Sequence, residues 1–281
     1  MIFGLRKNLL IGRSLTRFLN SKSIPEYPFP WYLSTSKNVN HSLSFWQSIK
    51  QKHLVNCGIE RAAKNHLNDE YYDFPFRFYD DVVIILHNFF ETLSNPNKYD
   101  HDHLSTLMTK GLANQFIDGL QLSKSMGQFP KFVLHSQPKV RLRGVHFTYG
   151  PYPVPSNYCP QEWDYITIMV PEEDAQFTSY KKNHQLLKEA MDQGCYFRIK
   201  ATIDCDLEFA IIDSKSDIPL MRDRRKSFDM TFTSPHFTPW DTIFELDEGG
   251  KYRLAWDWRI SDVDYRLEKQ SKESEDTLAK A

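Results

Sequence analysis

The sequence predicts an α+β fold: N-terminal helices packed on one face of a strongly bent antiparallel sheet. Three observations predict it. Apolar residues recur at three- and four-residue spacing up to about residue 125. Beyond residue 139 the dominant period is two, and a glycine marks a switch of parity inside the first of those strands. Helices first and a meander of long strands afterwards is the α+β order.

The first helical stretch runs from Ser44 to about Leu67, with Trp46, Ile49 and His53 along one side and Gly58 weakening it. Tyr71–Pro75 is a break. A stronger helix starts at Asp80, a suitable N-cap, and carries Val82, Ile85, Leu86, Phe89 and Leu93 on one face. Asn95-Pro96-Asn97 ends it. One further helix from about Asp102 carries Leu104, Leu107, Met108, Leu112, Phe116 and Leu120, and stops before Gly127 and Pro130.

Val140 and Leu142 then alternate, followed by Val145, Phe147 and Tyr149 in the opposite parity, with a bulge predicted at Gly144. Tyr165–Val170 reads as a short strand. Thr178–Asp192 reads as a helix capped by Thr178 and closed by Gly194. From Phe197 to Ile211 every odd position is apolar, while Arg198, Lys200, Thr202, Asp204, Asp206 and Glu208 fill even ones. That is a long strand with one buried and one wetter face. Further strands are predicted at Phe228–Thr233, Thr242–Leu246 and Tyr252–Ile260, the last two joined by the Asp247–Gly250 turn.

The two ends read differently. Residues 1–25 hold Arg6, Lys7, Arg13, Arg17 and Lys22, with no acid before Glu26. Arg6, Arg13 and Arg17 share one helical sector, and Ser14, Thr16, Ser21 and Ser23 complete a basic, Ser-containing, acid-poor pattern. This is the pattern of a cleavable mitochondrial targeting peptide. Residues 26–75 form an aromatic, proline-interrupted arm followed by the first helix; Tyr27, Phe29, Trp31 and Tyr32 need a surface to lie on, their own domain or a partner. The folded domain is expected over 76–265, and 266–281 as a charged, solvated tail.

Charge narrows the function. The chain has 35 basic and 36 acidic residues; without the five basic residues of 1–25 the balance is 30 against 36, a net of −6. A wholesale polyanion binder is excluded, so phosphate contact must come from a local patch. The longest aliphatic run, Val82–Leu86, is too short to span a bilayer. Cys57, Cys159, Cys195 and Cys205 show no metal spacing, and Cys195 and Cys205 read as small buried hydrophobes. Nothing in the sequence calls for a cofactor.

Two basic groups stand out. Lys139, Arg141 and Arg143 lie on one side of a strand at period two. Arg222, Arg224, Arg225 and Lys226 form a dense cluster, either a contact for phosphate or lipid head groups or a solvated turn neutralised by Asp217, Asp223 and Asp229. His101-Asp102-His103, with His135 and His146, invites a metal reading, but residues two apart on a helix do not share a face, so capping explains them better. Asp204, Asp206 and Glu208 become acid/base candidates only if their face is the interior one.

The segments Ile243-Phe244-Glu245 and Tyr252-Arg253-Leu254, with the helix Leu104-Ser105-Thr106-Leu107-Met108-Thr109-Lys110-Gly111-Leu112, resemble the family of the mitochondrial inner-membrane translocase subunit forty-four. The related protein of the mitochondrial large ribosomal subunit belongs to the same family. The resemblance covers roughly residues 76–262. Tyr252 stands where that family has Trp, the loop with Pro151, Pro153, Pro155 and Pro160 is unusually proline-rich, and the charged chaperone-binding extension is absent. The resemblance implies a cone-shaped, nuclear-transport-factor-2-like fold and a non-catalytic matrix protein. Its implied partners are the mitochondrial ribosome (protein and ribosomal RNA), the inner-membrane surface and translocase components. Two other functions compete: an import or assembly factor that binds client chains, and an enzyme using the cone's interior.

Overall fold

The computed structural model describes residues 45–65, 75–163, 165–175, 180–237, 244–246, 252–254 and 258–263. The targeting segment, the arm with Tyr27, Phe29, Trp31 and Tyr32, the Asp247–Gly250 turn, Thr178 and the tail lie outside the described residues. The fold is α+β, with helices against a strongly curled open sheet. The helices are α1 (Phe45–Asn65), α2 (Phe76–Leu93), α3 (His101–Leu107), α4 (Lys110–Ser125) and α5 (Tyr180–Asp192). The strands are β1 (Gln128–Leu134), β2 (Lys139–Tyr149), β3 (Tyr158–Trp163), β4 (Ile166–Pro171), β5 (Cys195–Asp213), β6 (Pro219–Thr233), β7 (Phe244–Leu246), β8 (Tyr252–Leu254) and β9 (Arg259–Val263).

The main sheet runs β3-β4-β2-β5-β6-β9, with β1 paired to the far half of β5. Strand β5 is its spine, because its alternation supplies a full buried row: Phe197, Ile199, Ala201, Ile203, Leu207 and Phe209 are all buried. The bulge expected at Gly144 is present, as a register shift between Leu142 and Gly144 against β5. Among the described strands one pairing is parallel, Phe147–Tyr149 of β2 with Ile166–Ile168 of β4; the other strand pairings are antiparallel. Of the expected hairpin, β7 and β8 pair Phe244 with Leu254, whereas Ile260, expected in the same strand as Tyr252, belongs to β9 and pairs with Phe232 of β6.

Helix α2 covers the buried face. Phe78 meets Phe232 and Trp258 edge-on at 5.6 and 5.0 Å, and Phe90 lies against Phe132 and Phe228. Burying each such ring stabilises the fold by about 1.5–3 kcal/mol, and edge-to-face pairs add about 0.5–1.5 kcal/mol. Helix α1 joins the same face: a Cβ at Gly58 would lie 2.9 Å from the Val145 carbonyl oxygen, so glycine there permits close approach to β2. Ile49 and His53, expected on the apolar side of α1, are exposed instead.

Other boundaries differ for identifiable reasons. Helix α2 begins at Phe76, after Pro75, and not at Asp80, which lies inside it. The helix expected from about Asp102 to before Gly127 is broken into α3 and α4. Met108 turns extended to bridge Ile260, and Thr109 N–H donates to the Ile260 carbonyl at 2.8 Å. Strand β1 was hidden by Gly127 and Pro130; Pro130 is tolerated because, among the described residues, β1 has a strand neighbour on one side only. Pro160, expected in a loop, sits in the edge strand β3 for the same reason. Strand β6 extends nine residues upstream of the expected Phe228, to Pro219.

Candidate functional site

The face of the sheet opposite α2 carries the polar residues of β5, and cross-strand register decides what they meet. Lys139 of β2 lies opposite Asp204, and Arg141 opposite Thr202. On the other side Arg224 of β6 lies opposite Glu208, and Asp229 opposite Thr202. An acidic row is thus held between two basic rows, all on the open face.

Arg141 forks onto Asp204 through Nε and Nη2, and this bonding holds its guanidinium above its ordinary range. Arg224 forks onto Asp206 with both bonds at 2.6 Å, which lowers the Asp206 carboxyl, Lys226 and His135 adding to the effect. Glu208 accepts from His135 Nε2 and Arg222 Nε, each at 2.9 Å, and is lowered chiefly by the His135 bond. Arg143 Nε donates to Thr202 Oγ1 at 2.7 Å, and that hydroxyl donates to Asp229. A polar relay therefore crosses β2, β5 and β6 through a buried threonine.

These placements correct several expectations. Arg222, Arg224, Arg225 and Lys226 lie within a strand, not in a turn, because β6 keeps its pairing with β5 as far as Pro219. Arg225 does not join the cluster: it lies opposite Leu207, on the buried face, and is half-buried. Lys139, Arg141 and Arg143 do share the open face. Asp204, Asp206 and Glu208 lie on that face too, while Ile199, Ile203 and Phe209 occupy the interior, so the acids have no access to the packed core. Asp100 rather than Asp102 caps α3, accepting from His103 N–H and the His103 ring at 2.9 Å. Asp100 is lowered by that backbone bond. Among the described residues no three His, Cys, Asp or Glu side chains cluster as metal ligands. Cys195 and Cys205 are buried, which pushes their thiols up to about 12 and about 11.

Sequence reasoning did not single out Arg198 and Lys200 as site residues, and it weighed His135 only as a metal ligand. Arg198 and Lys200 lie on the open face beyond the acidic row, opposite His146 and Gly144. Their even numbers in the β5 alternation were the available signal. His146 Nε2 is 2.7 Å from Thr167 Oγ1, and burial, then the Arg198 charge, hold its imidazole below the usual 6.5. Among the described residues, no helix is long and apolar enough to cross a membrane.

No family model matches this chain. No curated protein matches it either. Among solved structures it is similar to one described as the intermembrane space region of the chloroplast protein ARC6. That likeness has 10% identity and a TM-score of 0.29, and covers 66% of this chain and 93% of the other.

Proposed function

We propose that this chain is a non-catalytic interaction protein of the mitochondrial matrix, a component of the large ribosomal subunit or an adaptor between the ribosome and the inner membrane. One observation carries the reading. Lys139, Arg141, Arg143, Arg222, Arg224 and Lys226 flank four carboxylates, Asp204, Asp206, Glu208 and Asp229, on an open sheet face, in a chain that is net acidic beyond residue 25. A local concentration of cations against the overall charge is what phosphate recognition needs. The opposite face is occupied by aromatic packing between α2 and the sheet, which leaves the open face for partners. The basic, acid-free first 25 residues support the compartment, and the translocase-like hairpin and helix motifs support the choice of partner.

Sedimentation of mitochondrial lysate tests the reading. The protein is expected to travel with the large subunit or pellet with membranes at low salt, and to be released as salt rises. A protein that stays at the top of the gradient in low salt and never pellets with membranes overturns it.

A further inference from the structure

The Gly144 end of the open face carries cations beyond the acidic row. Register sets Lys200 opposite Gly144 and Arg198 opposite His146, while Arg143, within the bulge, reaches over β5 to Thr202. Gly144 adds no side chain, and a Cβ built there meets nothing within 4 Å. Arg198, Lys200 and Arg143 are thus neighbours in register of a position where the backbone is open. Arg198 is exposed, and no carboxylate among the described residues is ion-paired with it. Burial first, then the Arg198 and Lys200 charges, hold the His146 imidazole down, with the Glu162 charge opposing them.

We infer that the Gly144 spot binds a backbone phosphate of single-stranded RNA, held by Arg198 and Lys200 from β5 and by Arg143 from the bulge. The inference rests on the ribosome-facing reading above and gives its site. Cations two residues apart on a strand are about 6.6 Å from one another, so Arg198 and Lys200 can grip one phosphate from two sides. A flat anionic bilayer would also have to press its head groups onto Asp204, Asp206 and Glu208. A single phosphate strand needs only the Gly144 end, away from that acidic row, which favours RNA.

The full chain and a fluorescent RNA of about 12 nucleotides test the site by anisotropy across a salt series. Arg198→Gln with Lys200→Gln should weaken binding about tenfold and lower the salt slope by about 0.7, the value for one single-strand phosphate. Lys131→Gln, exposed on β1 at the other end of the sheet, should change neither. Gly144→Ala should bind as the parent does, whereas Gly144→Asp sets a carboxylate in the open spot and should abolish binding, with the urea midpoint of both compared to the parent. Added RNA should also raise the His146 pKa, read by NMR. Unchanged affinity and slope in the double variant, Gly144→Asp binding like Gly144→Ala, or loss of binding only to cardiolipin-containing vesicles overturns the inference. If the parent still sediments with ribosomes in those cases, only the site is wrong. If the parent does not sediment, the broader reading fails while the RNA titration still decides the site.

Discussion

Arg224 and Asp206 meet beside the register shift between β5 and β6, the guanidinium forked onto the carboxylate with both bonds at 2.6 Å. Both side chains remain solvated, at 58% and 32% exposure, so the pair contributes little to folding. Its larger effect is on binding. Asp206 occupies the donors that a phosphate would use. Asp206→Asn should therefore strengthen binding to single-stranded RNA and steepen its salt slope by about 0.7 for the freed contact. Anisotropy titrations at several salt concentrations check this. An unchanged slope means that Arg224 does not reach the ligand.

The same carboxylates set an acid limb on stability. Asp206 and Glu208 are lowered from 3.8 and 4.5 by their bonds to Arg224 and His135. A carboxyl whose folded pKa is depressed contributes stability that is complete above its unfolded value and is lost as pH falls through the folded one. Urea midpoints should therefore fall as pH drops below about 4.5. Asp206→Asn with Glu208→Gln should flatten that fall by lowering the midpoint at pH 7, where the parent's contribution is complete, and should leave the midpoint at low pH nearly unchanged. Parallel curves for parent and variant would remove these two groups from the account.

How far the sequence shows this face depends on which relation is local. Alternation along β5 places Asp204, Asp206 and Glu208 on one face, and alternation along β2 does the same for Lys139 and Arg141. Gly144 marks the bulge because the parity of apolar residues flips across it. Which strands lie side by side is not a local property, so the forks Arg141–Asp204 and Arg224–Asp206 appear only once register is known. The first half of β6 was hidden because Arg222 to Lys226 are all charged and show no apolar alternation. They are held in the sheet by pairing with a strand whose own pattern is strong. Pro130 hid β1 by looking like a breaker on a strand that has a free side. The Met108–Thr109 break was hidden because the backbone bond that draws it out comes from Ile260.

The aromatic junction of α2 with the sheet should dominate stability. Phe78 has no exposure and touches both Phe232 and Trp258 edge-on. Phe78→Ala removes the ring and leaves a cavity that two rigid neighbours cannot fill, at a cost of about 3–5 kcal/mol. Urea unfolding measures it. A loss below about 1 kcal/mol would mean that the junction repacks, because conservative, well-accommodated core changes fall in that range.

Two glycines should respond in opposite ways to the same substitution. Replacing a glycine inside a helix by alanine ordinarily stabilises by about 0.5–1 kcal/mol, because alanine has less backbone freedom to lose. Gly58 lies inside α1 and should break that rule. Its Cβ would sit 2.9 Å from the Val145 carbonyl oxygen and 3.0 Å from the Val145 Cβ, so backbone must move. Val145 cannot yield without disturbing its register with Ile199 at the centre of the sheet. Gly58→Ala should therefore destabilise, by about 1–3 kcal/mol as overpacked sites do. Gly144→Ala meets open space and should leave the urea midpoint within about 0.5 kcal/mol of the parent. A Gly58→Ala variant more stable than the parent would show that α1 does not dock on β2, and the difference between the two glycines is the measurement that decides it.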